Sequence, residues 1–434
     1  MMIQTSPRST ALGITGLLGT ISAVLVAILP FFQLVGRAIA DGIISAIAIF
    51  FLIQMIAERN SRWLREGWFP LALALWLVIV LASALSHSSH SLVEALVMIR
   101  FPLFARALET WVLTSQKRQM SVQLSIAAAG VWIVSQCWQQ YLTGTNLMGH
   151  PRWLDGALTG PFRGPRAGSA LLMTFFPGLM LFPVLLFQKG GPRNKLLASA
   201  LAAFLALTMV LVGQRMPTLQ TGLGLLLCAL LIRETRLIVA AAAGTAVLTI
   251  LALPVLSPPA YHKLVIHFLE QMSDFPHSDY GQIYIRALMM VHQHPILGMG
   301  FDGYRRLCDD PIYQHGFPLL DKWVLQNNPH EGCNIHTHNF YLEIATSGGL
   351  LALALFVALV ITWLSTLLRA YLSTRDALLG LLLVIMTVLF WPIESNSSFF
   401  TERTGGWVYL LLGLGLARAR MLTIGQSART QTTG

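Results

Sequence analysis

The chain has 434 residues, 55% of them hydrophobic and only 11% charged, with a mean hydropathy of +0.64, where an ordinary soluble domain carries roughly a quarter charged residues. A soluble globule cannot hide that much apolar surface, so the bilayer is read as the solvent for most of it. The net charge of +10 is taken up by loops that set membrane orientation, and nucleic acid is not expected as a partner.

Apolar runs long enough to cross the hydrocarbon core are bounded by polar or turn residues at 11–35, 37–57, 68–86, 91–114, 119–142, 167–188, 195–214, 217–232, 236–256, 339–367, 376–393 and 404–417. These predict an all-α polytopic membrane protein of about twelve transmembrane helices. The first run is too long for a signal h-region and lacks a clear cleavage site, so it is expected to stay in the protein. In the fourth run Glu94, Arg100, Arg106 and Glu109 interrupt the pattern, and such charges are expected to face a polar cavity or to pair. With the N-terminus in the cytoplasm, sixteen Lys and Arg fall in inner loops and tails and six in short outer loops, as the positive-inside rule requires. An even number of spans then leaves both termini cytoplasmic.

That topology places all twelve histidines on the outer side. It also leaves one large outer loop, so the chain divides into helices one to nine (1–256), the loop (257–337), and helices ten to twelve with a cytoplasmic tail (338–434). A loop of roughly 80 residues is too long for a plain connector and is expected to be functional. Cys308 and Cys333 both fall in it, where an oxidising compartment permits a disulfide. Cys137 and Cys228 sit in spans and are expected to pack.

The most informative stretch is Asn334-Ile335-His336-Thr337-His338-Asn339-Phe340-Tyr341-Leu342-Glu343, followed by Gly348-Gly349-Leu350 and a long apolar run. His338 stands just before the first turn of a membrane helix, whose N-terminus disfavours an imidazolium. A neutral imidazole suits a general base; the competing reading is that His338 and Asn339 only cap the helix. His336 and His338 are spaced for metal ligation, but no Cys or carboxylate cluster of recognisable spacing accompanies them, and no metal is expected.

Thr337-His338-Asn339 with Tyr341-Leu342-Glu343 and the Gly348-Gly349-Leu350 step resembles the signature of the O-antigen ligase and polymerase superfamily, in which a similar His-Asn segment follows a large periplasmic loop. Tyr284-Ile285-Arg286 and His294-Pro295-Ile296-Leu297-Gly298-Met299-Gly300 resemble its loop segment of an arginine followed by Pro-x-x-Gly-x-Gly. The resemblance implies a glycosyltransferase of GT-C-like architecture in the bacterial inner membrane with a periplasmic active site. It takes O-antigen glycan from undecaprenyl diphosphate and passes it to lipid A-core oligosaccharide, without cofactor or metal. An O-antigen polymerase and a protein O-oligosaccharyltransferase differ in the acceptor alone, and a lipid-linked glycan transporter is the reading from another class.

The resemblance implies His338 as the base. Arg215 and Arg286 are implied for the lipid diphosphate, with Arg163 and Arg166, which lead into a helix at Gly168, as a further outer basic site. His336 and Asn339 are expected to contact glycan. On the residues alone Arg215 could equally snorkel to headgroups, and Arg286 could be an ordinary solvated arginine.

Overall fold

The structure is a computed structural model that describes residues 7–314, 319–323 and 332–433. Among them there is no strand, only an isolated bridge between Thr145 and Pro151. The helices in chain order are α1 (Pro7–Val35), α2 (Arg37–Ala57), α3 (Phe69–Leu85), α4 (Ser89–Val97), α5 (Arg100–Ala107), α6 (Gln116–Thr143), α7 (Ala167–Thr174), α8 (Leu181–Gln188), α9 (Pro192–Leu211), α10 (Arg215–Leu231), α11 (Arg236–Leu256), α12 (Pro258–Tyr261), α13 (His267–Ser273), α14 (Asp279–Gln293), α15 (Gly303–Leu307), α16 (Phe340–Thr374), α17 (Ala377–Leu389) and α18 (Glu402–Thr433). Among the described residues, eight segments are long and apolar enough to span a bilayer, α7 and α8 forming one of them, while α3, α10 and α17 are shorter apolar helices. The molecule is therefore a polytopic helical membrane protein.

The fourth predicted span is where the helix breaks. It comes as α4, α5 and a π-turn over Leu108–Val112, and its charges find partners there. Arg100 pairs with Asp41 at 2.9 Å and Arg106 with Glu109 at 2.8 Å, while the Trp68 indole also donates to Glu109. Both alternatives expected for these charges occur, since Glu94 and Arg100 line a cavity and Arg106 and Glu109 pair.

α16 carries a kink at Gly349, with φ 71° and ψ −169°, a region that only glycine enters freely. The Pro295–Gly300 loop seats in that kink. Leu350 N–H donates to the Pro295 carbonyl at 2.7 Å, Met299 N–H to Thr346 at 2.9 Å and Gly300 N–H to Ser347 at 3.0 Å. Gly298, at φ 62°, lies so close that a Cβ there would stand 2.6 Å from the Thr346 carbonyl oxygen. The two glycine motifs, some fifty positions apart in sequence, are thus the two halves of one backbone contact.

The long connection between α11 and α16 folds as short helices, with amphipathic α14 packed on α16. Cys308 and Cys333 form a disulfide with Cα atoms 5.6 Å apart, tying the end of α15 to the approach of the His336-Thr337-His338 segment. Cys137 and Cys228 are free and buried, as expected of packing residues. His315 and His330 lie outside the described residues.

Candidate functional site

His336, His338 and Asn339 sit where the long connection enters α16. Asn339 is the N-cap, its side chain accepting from the amides of Tyr341 and Leu342 at 3.0 and 3.1 Å, so the capping expected of the pair falls to Asn339 alone. His338 takes a left-handed backbone conformation with φ 54°, which a histidine adopts only when its surroundings hold it there.

Those surroundings come from the turn between α17 and α18. Asn396 N–H donates to the His338 carbonyl at 2.8 Å, and the His338 ring hydrogen-bonds the Asn396 backbone. The turn is itself pinned from three elements. Asn339 donates to the Pro392 carbonyl at 2.8 Å, the Tyr284 hydroxyl of α14 to the Glu394 carbonyl at 2.5 Å, and Gln220 of α10 to Glu394 at 3.3 Å and to Asn396 at 3.1 Å. Burial raises the Glu394 carboxyl well above its ordinary range, against hydrogen bonds from Asn396 and Gln220 that pull it down.

The His338 ring stands edge-on to Tyr280 and 4.1 Å, centroid to centroid, from the His336 ring. Burial lowers the pKa of His338, opposed by the bond to Asn396. Burial and the neighbouring His338 push His336 down to about 4. Both rings are neutral at pH 7, and a ring that donates one N–H to a backbone carbonyl keeps its other nitrogen free to take a proton.

Beside this pair opens a cavity of about 530 Å³, within the range of small-molecule sites. His336 and Thr337 line it, together with Arg37 and Asp41 of α2, His90 and Glu94 of α4, Arg100, the Phe301–Arg305 stretch, Glu343 of α16, and Ser398 to Glu402. None of the charged side chains of α2, α15 or α18 was singled out from sequence. The available signal was their rarity, nineteen carboxylates in 434 residues, each costly where it is buried. Glu343 accepts from the Phe399 amide at 2.7 Å, which fastens the same α17–α18 turn to α16.

The expected arginines divide. Arg215 opens α10, half-buried, and hydrogen-bonds Gln271 of α13. Arg163 and Arg166 are exposed in the loop before α7. Gly168 lets α7 start directly against Gln214, a Cβ there falling 3.0 Å from the Gln214 Cβ, so the helix starts that carry Arg166 and Arg215 abut. Arg166 and Arg37 also lie close enough for their charges to act on Arg403. Arg286, by contrast, is only 3% exposed, packed beneath Gly332 and close enough to act electrostatically on Tyr304. Neither Arg215 nor His338 lines the cavity; His336 is the link between cavity and His338.

For a metal, the one grouping of three potential ligands among the described residues is Cys308, Asp309 and Cys333, and its two sulfurs are consumed in the disulfide.

The helices thus gather a polar, charged cavity next to the neutral His336 and His338 pair, with the arginine-bearing starts of α7 and α10 apart from it. Residues 200–357 match the family model described as O-antigen ligase. The match runs from α9 through the kink of α16 and takes in Arg215, Arg286, His336, His338 and Asn339, leaving Arg163 and Arg166 outside. It supports a member of the O-antigen ligase and polymerase superfamily. No curated protein matches the chain.

Proposed function

We propose that the protein is an O-antigen ligase: an inverting, metal-independent glycosyltransferase that moves O-antigen glycan from undecaprenyl diphosphate to lipid A-core oligosaccharide, completing lipopolysaccharide. The observation that carries this reading is His338, inside the matched segment, neutral and oriented by the Asn396 backbone at the start of α16. We place the reaction on the periplasmic face of the inner membrane, with both termini cytoplasmic. The short helices and the broken fourth span complete twelve crossings in a GT-C-like arrangement, divided at 1–256, 257–337 and 338–434.

In the transfer, His338 takes the proton of an acceptor hydroxyl as that oxygen attacks the anomeric carbon of the donor. The bond from that carbon to the diphosphate oxygen breaks, and its electron pair leaves with the diphosphate. One displacement inverts the centre. General-base help of this kind is worth about 10²–10⁴ in rate. Arg215 takes the leaving diphosphate through paired guanidinium hydrogen bonds, next to the abutting helix start that carries Arg166, with Arg163 extending the basic face. Arg286 adds positive potential from beneath the loop, where low dielectric lengthens its reach. Loss of one well-placed donor to developing charge costs about 10²–10³ in rate.

The test is glycan transfer from undecaprenyl diphosphate to purified lipid A-core by detergent-solubilised protein with chelator present, wild type against His338→Ala. Product from wild type alone supports the reading. Transfer only to a protein, or only to a second lipid-linked repeat, makes it an oligosaccharyltransferase or a polymerase. Equal activity in the variant removes the base.

A further inference from the structure

The cavity next to His336 has a chemical character unlike the arginine-bearing start of α10. Its wall carries both guanidinium groups and carboxylates, among them Arg37, Arg305, Glu94 and Glu402, and the Phe301 and Phe400 rings, 4.7 Å apart, border it. A site for diphosphate alone has no use for carboxylates, which repel it. A sugar ring does use them, because its hydroxyls donate to carboxylates and accept from guanidinium groups while its C–H face rests on aromatic rings.

Two buried atoms at the wall lack the partner that their cost demands. Glu402 is 3% exposed, and its Oε1 has no hydrogen-bond partner among the described residues, nor does Nε2 of His336. The charges of Arg37, Arg403 and Arg100 attract Glu402 against the like charge of Asp41, while one of its oxygens is left to accept. A hydroxyl that donates to Glu402 and another that meets His336 would satisfy both.

The position of the cavity gives the sugar its identity. His338 has two different neighbours: Asn396, whose side chain is bonded by Gln220 of α10, the helix that begins at Arg215, and His336, whose ring it meets and which lines the cavity. A base that takes a proton from one substrate while the other departs with a diphosphate needs the two on different sides of it. We propose that this cavity is the subsite for a sugar residue of the acceptor, held by Glu402, His336, Arg37 and Arg305, with the donor diphosphate on the α10 side. The assignment rests on the glycosyltransferase reading above.

Glu402→Gln, and Arg37→Ala and Arg305→Ala at exposed side chains whose loss spares the fold, test it in two assays on the full-length protein. In transfer kinetics with each substrate varied in turn, the variants are expected to raise the acceptor KM tenfold or more with the donor KM within twofold. In donor-free binding of delipidated lipid A-core oligosaccharide, they are expected to weaken binding by the same factor. A rise in donor KM alone would assign the cavity to the donor glycan and overturn the proposal, and so would three variants that match wild type in both assays. The binding assay separates the two readings. Oligosaccharide binding that the variants lose, in a protein that transfers nothing, keeps the subsite and sinks the ligase. Transfer that depends on His338 but ignores all three variants does the reverse.

Discussion

At His338 a single side chain is fixed by a backbone that holds it at φ 54° and by a carbonyl that receives its ring. Because burial holds the ring below its ordinary value of 6.5, the free base predominates at neutral pH, and the acid limb of kcat/KM is expected below pH 6.5. A pH profile of transfer, taken with and without His338→Gln, locates that limb. His336 carries the stability consequence. Its folded-state pKa of about 4 lies below the ordinary 6.5, so the folded protein binds fewer protons than the unfolded chain between those values. Above 6.5 nothing is lost; as pH falls toward 4 stability drops, and below 4 the loss levels off. Thermal melts at pH 7 and pH 5 should differ, and His336→Gln should narrow the difference. Gly349 stands at a conformation open to glycine alone, with the Ile296 carbonyl against it. Gly349→Ala is expected to cost about 1–3 kcal/mol from backbone strain, with the Pro295–Gly300 loop displaced besides. Gly222→Ala, in open space, is the matched control in a detergent melting assay.

Among elements, the turn between α17 and α18 decides whether the base is aimed. Helix propensity says nothing about it, because Glu394 to Ser398 are polar residues that could connect two helices in many ways. What selects one arrangement is contact with α10, α14 and α16: Gln220, Tyr284 and Glu343 each bond it. Gln220→Leu removes two of these bonds without touching the cavity. One hydrogen bond contributes about 0.5–1.5 kcal/mol, so kcat is expected to fall about tenfold with acceptor KM unchanged. A drop in expression or melting temperature with unaltered kcat would make Gln220 structural only.

At the scale of the molecule, the long connection is held to the helices by the glycine contact at the kink and closed on itself by the disulfide between Cys308 and Cys333, 25 positions apart. Closing a loop of that length removes unfolded-state entropy worth about 3 kcal/mol. Paired Cys308→Ser and Cys333→Ser substitutions should lower the melting temperature and loosen the His336–His338 segment, read as faster hydrogen exchange there than in α16. Unchanged exchange would show that the α16 contact alone holds the segment.

Apolar run length was enough to find the long apolar helices, because a bilayer demands about 20 apolar residues and internal hydrogen bonding whatever the tertiary fold. α2 and α11 begin and end within a residue of expectation, and the charges of the fourth span pair or face a cavity as expected, although the span itself is broken. The histidine segment and the glycine motifs were legible too, since they are local. The sequence could not show that Asn396 would meet His338, that Gly298 would seat against Gly349, or that Arg37, Glu94, Arg305 and Glu402 would surround one cavity. Those residues come from helices far apart in the chain, and one-dimensional spacing carries no information on which helix ends converge. Burial of Arg286 was equally hidden, because exposure depends on what the rest of the chain lays over a residue. Only helix packing decided which scattered charges became a site.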